Sequence, residues 1–331
     1  MAIKQDFATL YYKTAFCLTS NIIADFNPVS RIAGVDVSHG MGTVFTAMGT
    51  RYDINLVADE AFLATDSHES DTRSVDGVPV AETMKWVRGE MIREGSLPEK
   101  YKGFVENVRD GKILYEDYEM FEAGDVSSQT LFLISPAEKS PAVAATAFRK
   151  FVSDAFCTNK YGDLGYLKIQ LEMADLLDES EEEALAAYST IVTDDQFVLD
   201  ALLIRFVGLK DKIVFIDEFL AGKLGINETR VAIHESGIIN RLYPLRNICY
   251  KSIFVNALYP HRCGYDTTDS GIAGGLGLTN QNIQKKIAAR RVKDLQALEA
   301  EVILTPCAAE AYGLELGGGE VCTLLEYAAS L

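Results

Sequence analysis

Two stretches of this 331-residue chain can be laid on one another, and that self-similarity constrains the fold more than any single motif. Ser189-Thr-Ile-Val-Thr-Asp-Asp-Gln-Phe-Val198 aligns with Glu301-Val-Ile-Leu-Thr-Pro-Cys-Ala-Ala-Glu310, with Thr193 on Thr305. Further on, Ile213-Val-Phe-Ile-Asp-Glu-Phe-Leu-Ala221 aligns with Val321-Cys-Thr-Leu-Leu-Glu-Tyr-Ala-Ala329. The repeat is roughly a hundred residues long and occurs twice, too few copies for a solenoid. It predicts two similar compact halves.

Within each half, short apolar runs alternate with helical segments. Thr130–Ile134, Tyr188–Val192, Lys212–Phe215, Val231–Ile233 and Glu301–Leu304 have the length and composition of buried strands. Ala142–Ala155, Gln196–Phe206 and Gln281–Leu298 read as helices between them. Such alternation implies α/β units around a parallel sheet. The acidic run Asp178–Glu183 is expected to open a solvated helix, where carboxylates favour the N-terminal dipole.

The first 125 residues differ. Ala8, Leu10, Tyr11 and Ala15 have helical spacing over residues 7–27, Pro28 stops that helix, and Pro79 starts another through Met84, Val87 and Met91 to Gly95. Between them Asp66–Gly77 is polar and turn-rich. A formal charge of −17 excludes nucleic acid as an expected partner, since a phosphate backbone requires a surplus of Lys and Arg. Met1–Asp6 form no charged region ahead of an apolar core, and there is no long apolar run, so neither secretion nor a membrane span is expected and a cytoplasmic location is, peripheral to a membrane complex at most. The six cysteines, at 17, 157, 249, 263, 307 and 322, form no C-x-x-C pair and suggest no disulfide framework.

Taken in order, these features resemble the heterodisulfide reductase catalytic subunit and related iron–sulfur oxidoreductases, which fuse a helical ferredoxin-like unit to tandem cysteine-rich CCG domains. The second half carries the resemblance best. Val231-Ala-Ile-His234 stands at the first strand, Arg241 and Pro244-Leu-Arg246 at the arginines that follow, Arg262-Cys263-Gly264 at Cys-Cys-Gly, Gly271–Gly277 at the glycine-rich loop, and Thr305-Pro-Cys307-Ala-Ala-Glu310 at Thr-x-Cys-x-x-Cys. In the first half Ile134-Ser135-Pro136, Phe156-Cys157-Thr158 and Thr193-Asp194-Asp195 occupy the same places. In the helical region the four-cysteine positions before Pro28 are Cys17, Ser20, Ile23 and Asn27, and those before Pro79 are His68, Asp71, Ser74 and Val78.

The resemblance implies a helical ferredoxin-like domain over 1–125 and two α/β CCG-type halves over 126–226 and 227–331. It also implies that most cluster ligands are gone. Cys17, Ser20, Asn27, His68, Asp71, Ser74, Cys157, Asp195, Cys263, Cys307 and Glu310 are the vestigial positions. A cluster needs about four converging thiolates, so no cofactor is expected, a residual iron–sulfur cluster or single metal being the alternative. Asp66, His68 and Asp71 have metal-ligand chemistry but equally the composition of an ordinary turn. The expected role is a non-catalytic docking subunit in a hetero-oligomer with iron–sulfur or flavin subunits of a redox complex. The alternative is a repurposed enzyme that uses Cys263 and Cys307, brought to one vestigial site with Arg241 and Arg246, on a thiol or small acid.

Overall fold

The computed structural model describes residues 28–35, 62–63, 80–93, 95, 97–109, 119–161, 179–246, 249–273, 276 and 280–331. The described helices of the first region include α1 (Pro28–Arg31), α2 (Val80–Arg93) and α3 (Glu99–Arg109). Ala81, Met84, Met91 and Ile92 of α2 are buried, a stripe at helical spacing. Tyr101 of α3 packs its ring 4.6 Å from that of Phe62 and donates its hydroxyl to the Phe62 carbonyl. The helix expected after Pro79 is therefore present. The expectations for residues 7–27 and 66–77 lie outside the described residues.

The first sheet contains β1 (Glu122–Ala123), β2 (Thr130–Leu133), β3 (Phe156–Thr158), β4 (Thr190–Thr193) and β5 (Ile213–Phe215), in the order β1-β3-β2-β4-β5. Only β1 is antiparallel, and it places residues of the expected helical unit on the edge of this sheet. The connecting helices are α4 (Pro141–Arg149), α5 (Glu179–Ala186), α6 (Gln196–Arg205) and α7 (Ile216–Ala221). The second sheet contains β6 (Val231–Ile233), β7 (Ala257–Leu258), β8 (Val302–Thr305) and β9 (Cys322–Thr323), all parallel and ordered β7-β6-β8-β9. Its helices are α8 (Gly237–Leu242), α9 (Cys249–Ile253), α10 (Gln281–Gln296), α11 (Ala308–Leu316) and α12 (Leu324–Ser330). The chain is thus mixed α/β with parallel sheets.

The strand order β3-β2-β4-β5 is repeated as β7-β6-β8-β9. The duplicated residues also repeat their local bonding. Thr193 Oγ1 accepts from the Asp195 amide and Thr305 Oγ1 from the Cys307 amide, one turn after each aligned strand. Glu218 accepts the Phe215 amide and Glu326 the Thr323 amide, so each last helix starts with a first-turn glutamate bonded back to the residue before it; only Thr323, which also accepts the Glu326 amide, makes the bond reciprocal.

Two expectations change. The helix read over Ala142–Ala155 ends at Arg149, and Phe156-Cys157-Thr158 is a buried strand paired in parallel with β2. A three-residue segment ending in polar Thr158 carries no strand pattern of its own, so pairing rather than pattern decides it.

One apolar core spans both halves, from Leu131, Phe132 and Leu133 of β2 to Val231, Ile233, Leu304 and Leu324 of the second sheet. Alternation along β6 turns Ala232 to the opposite face, against Val292 and Leu295 of α10 and Leu314 of α11. In the first half Phe148 of α4 stacks on Phe132 at 4.2 Å and on Phe219 of α7 at 4.9 Å. Among the described residues no helix is long and apolar enough to cross a membrane.

Candidate functional site

In parallel α/β sheets ligands bind beyond the carboxyl ends of the strands, where the chain reverses its direction of winding. Here that crevice lies between β2 and β4 in the first half and between β6 and β8 in the second. Both are filled by side chains, and the two fillings touch.

At the end of β2, Ser135 meets the loop after β4. Its amide donates to Asp194 Oδ1 at 2.8 Å and its hydroxyl to Asp195 Oδ2 at 2.5 Å. Asp195 Oδ1 caps α6 through the Phe197 and Val198 amides. The Asp194 carbonyl accepts from the Ala308 amide, a main-chain bond between the repeats. Burial raises the pKa of Asp194 well above the ordinary carboxylate range, with Glu138 adding to it; burial also raises that of Asp195, against the pull of Ser135.

In the second half Glu310, one turn into α11, takes the centre. Its carboxylate accepts from Gln196 Nε2 at 2.5 Å, from the Ser270 amide at 2.8 Å, and lies 2.8 Å from His234 Nε2. Arg291 Nε donates to the other ring nitrogen of His234 at 3.0 Å, and Arg291 Nη1 donates to the Arg262 carbonyl at 2.7 Å. A guanidinium has only donors, so His234 accepts on Nδ1 and carries its proton on Nε2. Burial, and then Arg291, push the His234 pKa down to about 3. The contact with Glu310 is therefore a neutral imidazole N–H bonded to a carboxyl, not an ion pair. Burial raises the Glu310 pKa, and burial with the charge of Glu310 raises Asp269 to about 6.

Asp269 accepts the Gly237 amide at 2.5 Å. A Cβ on Gly237 would lie 2.9 Å from Asp269 Oδ1 and 2.7 Å from Arg241 Nη1, so any side chain there would push these two groups aside. Gln196 Oε1, Asp269 Oδ2, Ser270 Oγ, Gln284 Oε1 and Arg291 Nη2 are buried in this centre without a hydrogen-bond partner among the described residues.

The expected site residues are distributed as follows. Asp195, Cys307 and Glu310 converge. Cys307 is the buried residue preceding α11, and burial, then Glu310, Asp195, Asp269 and Asp194, raise its thiol pKa well above the ordinary value. Cys263 is half-buried on the rim, where burial and Glu235 raise its pKa against the opposing pull of Arg291 and Lys251. Glu235 fixes this loop by accepting from Tyr250 at 2.5 Å and from the Gly264 amide. Cys157 lies in β3 with its pKa pushed up to about 12 by burial.

Both Cys263 and Cys307 are free thiols, and neither environment favours a thiolate. Arg246 donates to Glu218 and to the Ile213 carbonyl, and Arg241 to the carbonyls of Tyr265 and Thr267, so both are committed to loop and inter-repeat contacts. Cys17, Ser20, Asn27, His68, Asp71 and Ser74 lie outside the described residues. Among the described residues no group of three or more His, Cys, Asp or Glu is placed to hold a metal ion, and no four thiols converge as a cluster requires.

The sequence signalled His234 and Glu310 but not their partner Arg291. Nothing in the sequence separates Arg291 from its neighbour Arg290 in α10, yet Arg291 is buried and Arg290 exposed.

The neutral state of His234 predicts a specific titration. The unfolded imidazole takes up a proton near 6.5 and the folded one only near 3. Its contribution to stability is complete above 6.5 and is lost as pH falls toward 3. Asp269 acts in the opposite sense, since its folded pKa of about 6 exceeds the unfolded 3.8 and acidification through that window restores stability. Histidine-selective NMR should show the Nε2–H tautomer of His234 unchanged down to about pH 5. A titration midpoint near 6.5 at this residue would refute the assignment.

No protein-family model and no curated protein matches the chain. A crystal structure of a hypothetical protein from Helicobacter pylori is similar to it, with a TM-score of 0.58 and 12% identity, covering 93% of this chain and 70% of that one. At this identity the likeness extends to the fold alone, and the α/β architecture is what the two share.

Proposed function

We propose that this chain is a cluster-free relative of the heterodisulfide reductase catalytic subunit and serves as a non-catalytic docking subunit of an electron-transfer complex. The helical region then corresponds to a degenerate ferredoxin-like unit over 1–125, and the two sheets to degenerate CCG-type halves over 126–226 and 227–331.

One observation carries the reading. Glu310 stands where the resemblance expects the last cysteine of the second half, and its carboxylate is used internally by His234, Ser270 and Gln196. A position that would face a cluster acts as a brace across the two repeats. Asp195 in the first half is used in the same way, capping α6 and accepting from Ser135. The raised thiol pKa of Cys307 favours this reading over a redox enzyme working through Cys263 and Cys307.

The test is anaerobic isolation of the tagged full chain from its own cells, with metal analysis and mass spectrometry of what accompanies it. On the order of zero iron per chain, no absorbance at about 400 nm, and recovery of iron–sulfur or flavin subunits are expected. Stoichiometric iron would overturn the proposal. So would a turnover that disappears in the Cys263→Ala, Cys307→Ala double variant.

A further inference from the structure

Beside α10 the surface opens into a cleft of about 890 Å³, bounded by α1, the Pro260–Arg262 loop and one face of α10. That size suits a metabolite or nucleotide. Its chemistry departs from that of the whole molecule. The chain carries a formal charge of −17, yet Arg31, Arg262, Lys286, Arg290 and Arg291 line this one cleft, and Asp294 is the one carboxylate among the described lining residues. Asp294 is taken by Arg290 at 3.2 Å on the same helix. Lys286 is exposed and its Nζ reaches the Ala33 carbonyl at 3.5 Å. Arg31 is positioned at the wall by its bond to Thr268 Oγ1 at 2.8 Å.

Arg291 is the second, independent sign of a ligand. It is 2% exposed, its Nε is committed to His234 and its Nη1 to the Arg262 carbonyl, while Nη2 has no hydrogen-bond partner among the described residues. A buried guanidinium with donors left over is suited to an oxyanion, which it binds in fork geometry. Burial lowers the Arg291 pKa, and the nearby carboxylates of Asp269, Asp294, Glu235 and Glu310 oppose that and favour the charged guanidinium. Ile32, Pro260 and Leu298 add apolar surface to the same lining.

We infer that this cleft binds a phosphorylated small molecule of nucleotide size, its phosphate on Arg31, Arg262, Lys286 and Arg291 and its body against Ile32, Pro260 and Leu298. A multiply charged phosphate fits better than a single carboxylate because several cations line the one cleft, more than a single carboxylate could pair with. Attraction by net charge is not available to such a ligand, since the whole chain repels anions. Any saturable binding must therefore arise locally. The inference is independent of the docking role proposed above.

Calorimetric titration of the full chain with ADP and with inorganic pyrophosphate, and succinate as the carboxylate control, tests it. ADP should saturate at one site per chain, pyrophosphate should compete, and succinate should not. The Arg262→Ala, Lys286→Ala double variant should weaken ADP by about tenfold or more with unchanged melting temperature. Lys286→Glu, a single exchange at an exposed position, should weaken it in the same direction. Absence of saturable ADP binding, equal affinity in the variants, or displacement of ADP by succinate as effective as that by pyrophosphate would each overturn the assignment.

Discussion

Replacing Glu310 by alanine should lower the unfolding free energy by about 3–5 kcal/mol. The carboxylate serves three buried donors, His234 Nε2–H, the Ser270 amide and Gln196 Nε2–H, which come from three separate parts of the chain. Without it, each donor is left in a site from which water is excluded, at about 1–3 kcal/mol apiece. Relief from burying the carboxylate offsets part of that sum, which places the net near the lower end. Glu310→Gln keeps an acceptor toward His234 and Ser270 but sets a donor against Gln196, so its loss should be smaller. Urea denaturation compares the three proteins. An alanine variant within about 1 kcal/mol of the parent would show that Glu310 is not the brace described.

Phe148→Ala should cost a comparable amount, about 3–5 kcal/mol, by a different physical route. Phe148 is fully buried and stacks on both Phe132, nearly parallel at 6°, and Phe219, so that one ring joins α4 to β2 and α7. Truncation removes the apolar contact and leaves a cavity that two rigid rings cannot close. Phe148→Leu keeps much of the volume and should cost about 1–2 kcal/mol. Thermal and urea unfolding would read both. Equal losses for leucine and alanine would mean that ring stacking, not volume, dominates.

The fold was legible where residues repeat or alternate. Thr193 and Thr305 align in sequence and make the same hydrogen bond in space, and Val231-Ala-Ile233 is a strand as its composition indicates. Phe156–Thr158 escaped because it is not a run of aliphatic residues like Val231–Ile233, and Ala257–Leu258 because two residues carry no pattern; neighbouring strands define both.

The site was legible only in part. His234, Asp195 and Glu310 fall at motif positions and could be named from sequence. Asp269, Arg291 and Gln196 do not, and the bonds that join them span separations of 57 residues for His234 with Arg291 and 114 for Gln196 with Glu310. Nothing in the sequence sets Arg291 apart from Lys285, Lys286, Arg290 and Lys293 on the same helix; packing against β6 buries it and leaves others for the cleft.

The main-chain bond from Ala308 to the Asp194 carbonyl, with the Gln196 to Glu310 contact beside it, has a consequence for dividing the chain. Each repeat supplies polar partners buried in the other, so either repeat released alone would expose groups that the joined chain keeps from water. At the aligned residue that opens the same helix, the first repeat carries Asp195 and the second Cys307.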